Sequence, residues 1–142
     1  MSEHGVNLQF EVAIEGQLLG NWTKCDGLGV EYEVQEYQEG GENGFVHRLP
    51  GRRKYTNVKL TRPIDKGSAR VAAWVSSIGV EVKRQTGKIT VRDATGSELG
   101  TWNLEGVYPV KWNGPSLDVA GNQVAIETLE LAHNGFRFEK GE

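Results

Sequence analysis

Leu8, Phe10, Val12 and Ile14 alternate with Gln9, Glu11, Ala13 and Glu15, the period-two pattern of a strand with one buried face. Gly16-Gln17 permits a tight reversal into Leu18 to Lys24, which predicts a first hairpin. Val30, Tyr32 and Val34 alternate with Glu31, Glu33 and Gln35; a polar, glycine-rich loop from Gln38 to Pro50 follows, then a strand from Lys54 to Thr61. That pair predicts a second, much longer hairpin.

The period then changes. Val71, Trp74, Val75 and Ile78 fall at i, i+3, i+4 and i+7, an apolar stripe that predicts a helix over Gly67 to Ile78. Asp65 or Ser68 supplies an N-cap oxygen, and Gly79 suits the left-handed residue that stops a helix. Strand patterns resume at Lys88 to Asp93, Leu99 to Leu104, Val107 to Trp112 and Gln123 to Ala132. In the last, the apolar set moves from Val124 and Ile126 to Leu129 and Leu131, a parity change that predicts a β-bulge or a change of packing environment. Seven or eight strands, one helix and no internal repeat describe a mainly antiparallel β-sandwich or barrel carrying one α-helix, as a single domain over residues 1–142.

Composition narrows the function. A formal charge of −3 lacks the basic excess that holds nucleic acid by counterion release. The lone Cys25 cannot close an intrachain disulfide, and its spacing from His4, His47 and His133 is not that of a zinc site. The N-terminus has no basic segment followed by an apolar stretch, so no signal peptide is expected and synthesis is placed in the cytoplasm. The longest apolar run, Val71 to Val75, falls far short of the roughly 20 residues of a bilayer span.

Candidate chemistry thins out on inspection. Strand alternation places Glu127 and His133 on one face and Glu130 on the other, which argues against a metal or acid–base cluster. Cys25 has no neighbouring His and reads as a small packed thiol. Gly40-Gly41-Glu42-Asn43-Gly44 leads into a strand rather than a helix, so it is a turn, not a phosphate cradle. Trp74 and Trp102 sit at core positions, while Trp22 and Trp112 remain candidates for an interface or a sugar-stacking platform. Neither a nucleophile–base pair nor a cofactor loop emerges, and the expectation is no enzyme, no cofactor and no metal.

One feature departs from a plain sandwich. From Asp26 to Asn43 the charged residues are Asp26, Glu31, Glu33, Glu36, Glu39 and Glu42; from His47 to Pro63 they are Arg48, Arg52, Arg53, Lys54, Lys59 and Arg62. The long hairpin therefore has an acidic arm and a basic arm. Either the arms neutralise each other across the strands, or they face opposite charge on neighbouring copies, where complementarity sets register.

The segments FEVAIEG (Phe10 to Gly16), CDGLGVEYEV (Cys25 to Val34), EYQEGGENGFVHRLPGR (Glu36 to Arg52), YPVKWNGPSL (Tyr108 to Leu117) and VAIETLELAHNGF (Val124 to Phe136) resemble, in order, those of tail-tube proteins. That family serves contractile phages and extracellular contractile injection systems. The resemblance implies packed antiparallel sheets plus a helix, six subunits to a ring, and rings stacked into a hollow tube inside a contractile sheath. It implies as partners further copies of the chain, the sheath, baseplate and tube-terminator proteins, and cargo effectors or phage DNA in the lumen, without membrane anchoring. It also implies that the loop Glu39 to Arg53 reaches adjacent subunits, so that Glu39, Glu42, Asn43, Arg48, Pro50, Arg52 and Arg53 are the candidate interface residues. A tube initiator or baseplate adaptor forming a single ring is the alternative within this resemblance, and a carbohydrate-binding β-sandwich the alternative outside it.

Overall fold

The computed structural model describes residues 8–37, 47–78, 84–114 and 125–141, with the backbone alone for residues 35–37 and 47–50. Ten strands and one helix follow in the order β1 (Gln9–Ile14), β2 (Gln17–Trp22), β3 (Lys24–Asp26), β4 (Val30–Tyr37), β5 (His47–Tyr55), β6 (Val58–Pro63), α1 (Ser68–Ile78), β7 (Gln85–Arg92), β8 (Glu98–Asn113), β9 (Ile126–Ala132) and β10 (Gly135–Lys140). Eight strands join in one antiparallel sheet, β2-β1-β7-β8-β9-β6-β3, with β10 also paired to β8; β4 and β5 form a separate two-stranded ribbon. The mainly antiparallel β fold with one helix is the one the alternation predicts.

β8 holds the sheet together. Its first half pairs with β7 and β10, its second half with β9. The sequence suggests two strands here, but the chain runs on through Gly106, whose φ of 66° bends β8 at the change of partner. A Cβ at that position would stand 2.4 Å from the Asn134 amide, so only glycine fits the bend.

The inner faces bury Val12, Ile14, Leu19, Trp22, Val58, Leu60, Ile89, Leu104, Val107, Leu129 and Leu131, and α1 adds Val71 and Trp74. The helix packs against β8. Its start lies one residue later than expected: Asp65 Oδ1 accepts the Gly67 N–H at 2.7 Å and supplies the cap, while the Ser68 hydroxyl turns inward. Trp74 Nε1 donates to Gln85 Oε1 at 2.9 Å, which satisfies the one polar atom of a buried ring.

β6 and β9 explain the parity change without a bulge. Their register is unbroken, and inward positions pair as Val58 with Leu131, Leu60 with Leu129, and Arg62 with Glu127. Glu127, not the exposed Ile126, occupies the inward position. Arg62 Nε donates to Glu127 Oε1 at 2.5 Å, and Arg62 Nη1 reaches the carbonyls of Leu19 and Asn21 at 3.1 and 3.4 Å. The Ser68 hydroxyl and Trp112 Nε1 donate to the same carboxylate at 2.8 and 3.1 Å. The Arg62 guanidinium lies 4.1 Å above the Trp22 ring. The two tryptophans that the sequence leaves open for sugar stacking are thus part of this packed cluster, Trp22 fully buried and Trp112 tied to Glu127.

Two further strand boundaries depart from expectation. The predicted strand Lys54 to Thr61 is broken at Thr56-Asn57, with β5 on one side and β6 on the other. Thr56 Oγ1 donates to the Gly27 carbonyl at 2.8 Å and Asn57 Nδ2 donates to Glu130 at 2.9 Å, which pins the break to the body. β5 also begins at His47, inside the segment expected to be loop, and Pro50 stands beside a register irregularity where a missing ladder donor is tolerated. β10 is an additional strand.

Removing one partner from the buried pair strands the other charge. Glu127→Gln is expected to cost about 3–5 kcal/mol in urea unfolding. The double variant Arg62→Met/Glu127→Gln is expected to cost clearly less than the sum of the two single variants. Additive costs would show that the two side chains are not energetically coupled.

Candidate assembly surface

Both strands of the ribbon leave the body at one place. β3 ends at Asp26, and Gly27, with φ 96°, turns the chain toward β4 where a Cβ would stand 2.0 Å from the Asn57 carbonyl oxygen. Asn57 belongs to the return of β5 into β6, so exit and re-entry are packed backbone to backbone. Beyond this root the ribbon pairs with nothing else among the described residues.

The ribbon keeps the alternation that predicts a buried face, yet the subunit does not bury it. Val30, Tyr32 and Val34 share one side of β4 and are 44%, 52% and 53% exposed. Glu31 and Glu33 point to the other side and are exposed too. A row of exposed apolar side chains on one strand face is the pattern of an interaction surface.

The charged arms lie side by side in register: Glu31 faces Lys54, Glu36 faces Arg48, and one β4 residue, Glu33, stands against Gly51 and Arg52 at a register shift. Ion pairs among the described residues are Lys24–Asp26, Arg62–Asp65, Arg62–Glu127, Arg92–Glu11 and Arg92–Glu98. None joins Glu31 or Glu33 to Arg52, Arg53 or Lys54. Among the described residues, these five charges do not neutralise one another within the ribbon.

At the root, Tyr55 packs edge-on against Phe136 with ring centres 5.3 Å apart, and His133 lies 5.6 Å from Tyr55. Arg53 covers Tyr55 from outside at 5.8 Å. A recess of about 510 Å³ opens here, lined by Arg52 and Arg53 from β5, Glu105 from β8, Arg137 from β10 and the Tyr55 and Phe136 rings. Of the expected interface residues, Arg52 and Arg53 are exposed on this recess, and Arg48 and Pro50 take register positions on β5. Glu39, Glu42 and Asn43 lie outside the described residues. Arg137 was missed with its strand; the alternation of Phe136 and Phe138 with Arg137 and Glu139 carried the signal.

The residues weighed for chemistry are otherwise engaged. Glu127 is bound by Arg62, Ser68 and Trp112, and Glu130 holds Asn57. Burial, reinforced by the neighbouring Asp26 charge, pushes the Cys25 thiol up to about 12, so it stays protonated and unreactive at neutral pH. His133 Nδ1 accepts the Gly135 N–H at 3.1 Å, which fixes the proton on Nε2, where it is donated to the Thr56 carbonyl at 3.0 Å. A second proton on Nδ1 would face the Gly135 N–H in the turn between β9 and β10.

Burial holds His133 below its ordinary value of 6.5, against the opposing pull of the Thr56 carbonyl. Below about pH 6.5 the unfolded chain takes up a proton that the folded imidazole refuses. Stability is therefore expected to be insensitive to this group above that pH and to fall from there down toward the depressed native value, by at most about 1.4 kcal/mol per pH unit. In chemical unfolding between pH 7 and 5.5, His133→Gln should flatten the slope. An unchanged slope would assign it to other groups.

A family model of the T4-like virus tail tube protein gp19 matches residues 6–137. Among curated proteins, none matches the chain significantly by sequence. In structure the chain is similar to one in the sheath-tube complex of the extracellular contractile injection system PVC, with TM-score 0.78 and 24% identity over 93% of this chain and 88% of that one. It is similar to a chain of the anti-feeding prophage baseplate, with TM-score 0.74 and 23% identity over 99% and 98%. More distantly, it is similar to Hcp1 from Flavobacterium johnsoniae, with TM-score 0.55 and 13% identity over 94% and 96%. These likenesses share the fold of packed antiparallel strands and one helix described above, and the sequence match spans it from before β1 into β10: the chain belongs to the T4-like tail tube protein family.

Proposed function

We propose that this tail tube protein is the inner-tube subunit of a contractile injection system, with six copies to a ring and rings stacked into a hollow conduit inside a contractile sheath. The observation that carries this reading is the β4–β5 ribbon. It stands off the main sheet with the apolar face of Val30, Tyr32 and Val34 half exposed and with its two charged arms unpaired with each other at Glu31, Glu33, Arg52, Arg53 and Lys54. A contact between non-identical patches closes into a ring or continues as a stack, and a ribbon with two unlike faces and two signs of charge supplies such patches.

Open sheet edges add to this. Among the described residues β2, β3 and β10 each pair on one side only, which leaves backbone donors and acceptors for another chain. The role is structural and uses no cofactor or reaction. Its partners are the sheath, baseplate and tube-terminator proteins, with effectors or phage DNA as cargo, and the subunit is made in the cytoplasm and built into a particle. No helix among the described residues is long and apolar enough to cross a membrane.

The likeness to a baseplate chain favours a second reading, in which the chain forms one ring that starts the tube. Copy number in purified particles separates the two: many copies per particle mean the tube, about six mean the initiator. Co-expression with sheath and baseplate, viewed by negative stain, should show tube-filled particles; a chain that stays monomeric at high concentration and is absent from such particles would exclude both.

Charge reversal tests the ribbon. Arg52→Glu/Arg53→Glu should abolish assembly, because like charges brought together across an interface cost several kcal/mol, while monomer stability changes by only about 0.5 kcal/mol, as for exposed sites. Tubes of unchanged yield would mean that these arginines face solvent in the particle.

A further inference from the structure

We propose that the arginine-lined recess at the ribbon root is the socket for the acidic face of β4 from a neighbouring copy of this chain. The inference rests on the tube reading above and gives it a plug and a socket. Arg52 and Arg53 reach the recess from β5 and Arg137 from β10, three cations against the single acid Glu105, over a floor of Tyr55 and Phe136. All three arginines are exposed, and none is ion-paired with a described acid. Three guanidiniums around a concavity with one counter-charge among its described lining residues repel one another, and entering carboxylates relieve that repulsion. Guanidinium forks bind carboxylates bidentately, and the polar walls suit that pairing better than an apolar anchor.

The occupant follows from charge and shape. Glu31 and Glu33 project from one side of β4, about 7 Å apart at two strand residues, exposed and ion-paired with none of Arg52, Arg53 and Lys54. They lie in a stretch, Asp26 to Asn43, that carries six acids and no base. Two carboxylates on a rigid extended strand fit a recess that offers three guanidiniums on two strands. With the acidic face in the socket, the opposite face of Val30, Tyr32 and Val34 remains for a second contact, so one ribbon can bridge two neighbours. A nucleic acid is the weaker candidate, because a polyphosphate needs a run of basic contacts along its backbone, whereas these arginines form one compact cluster beside an acid in a chain of net charge −3.

The test reverses a charge in the socket without touching the ribbon. Arg137→Glu should raise the critical concentration for tube formation about tenfold or more, and the single exchange Glu33→Arg in the same chain should recover part of that loss. Arg137→Gln should shift it in the same direction by less, and serves in place of the Glu variant if circular dichroism shows that variant unfolded. Mixed Glu33→Cys and Arg137→Cys subunits carrying different tags should form hetero-disulfides in assembled tubes. If wild-type chains form tubes and the Arg137 variants form them equally well, or if no hetero-disulfide appears, the socket is overturned and the tube reading stands. If wild-type chains form no tubes in particles, the tube reading itself fails. Nucleic acid that co-purifies with wild-type tubes and is lost from intact Arg137→Glu tubes would assign the recess to phosphate and overturn the proposal.

Discussion

The fold depends on one buried ion pair. Arg62 on β6 and Glu127 on β9 face each other across the sheet, and each spends its remaining hydrogen-bonding capacity on a different element: Arg62 on the carbonyls of β2, Glu127 on the start of α1 and on Trp112 of β8. Leucines at the same two positions could bury as much area, but they could not specify which way the first hairpin, the helix and the β8–β9 pair approach one another. Burying two charges is expensive, and among the described residues Arg62 Nη2 and Trp22 Nε1 find no hydrogen-bond partner, so the cluster is not an economical source of stability. What it supplies is orientation, with five elements referred to one carboxylate and one guanidinium.

That rigidity matters because the ribbon hangs from the same frame. β6, which carries Arg62, continues from β5 through Thr56-Asn57, and β9, which carries Glu127, ends at Ala132, next to His133, whose ring holds the Thr56 carbonyl. Any rotation of β6 against β9 would be passed to the ribbon root. The aromatic contacts of Tyr55 with His133 and Phe136 fix the angle at which the ribbon leaves, so the charges on its arms are presented in a set direction. In the tube proposed above such a direction would matter, since a small angular error accumulates along a stack.

Much of this was legible in the sequence, and what was not has a common cause. Alternation from Leu8 to Ile14 and the 3.6-residue stripe from Val71 to Ile78 are local patterns, and both elements form where the pattern places them. Strand ends at Trp22 and Tyr55, and the continuation of β8 through Gly106, are set by partner strands distant in the chain, which local pattern does not encode. The parity change in β9 is visible in the sequence as an anomaly, but its cause is a buried carboxylate whose arginine lies on another strand. The ribbon was legible as a split of charge, while the recess was not: Arg52 and Arg53 meet Arg137 only because β10 folds back along β8. Glu39, Glu42 and Asn43, which the family resemblance implies as interface residues, lie outside the described residues.

In the assembly proposed above, the two faces of β4 would divide the work between them. Apolar contact through Val30, Tyr32 and Val34 is non-directional and tolerates sliding, so it supplies adhesion without register. Charge pairing supplies little net adhesion at an exposed surface, yet a displacement that sets like charges together is strongly disfavoured, so it supplies register without much adhesion. A tube needs both, because subunits that adhere without register aggregate and subunits that register without adhesion dissociate. Placing the two functions on opposite faces of one short strand lets alternation, the simplest pattern a β-strand can carry, encode them together.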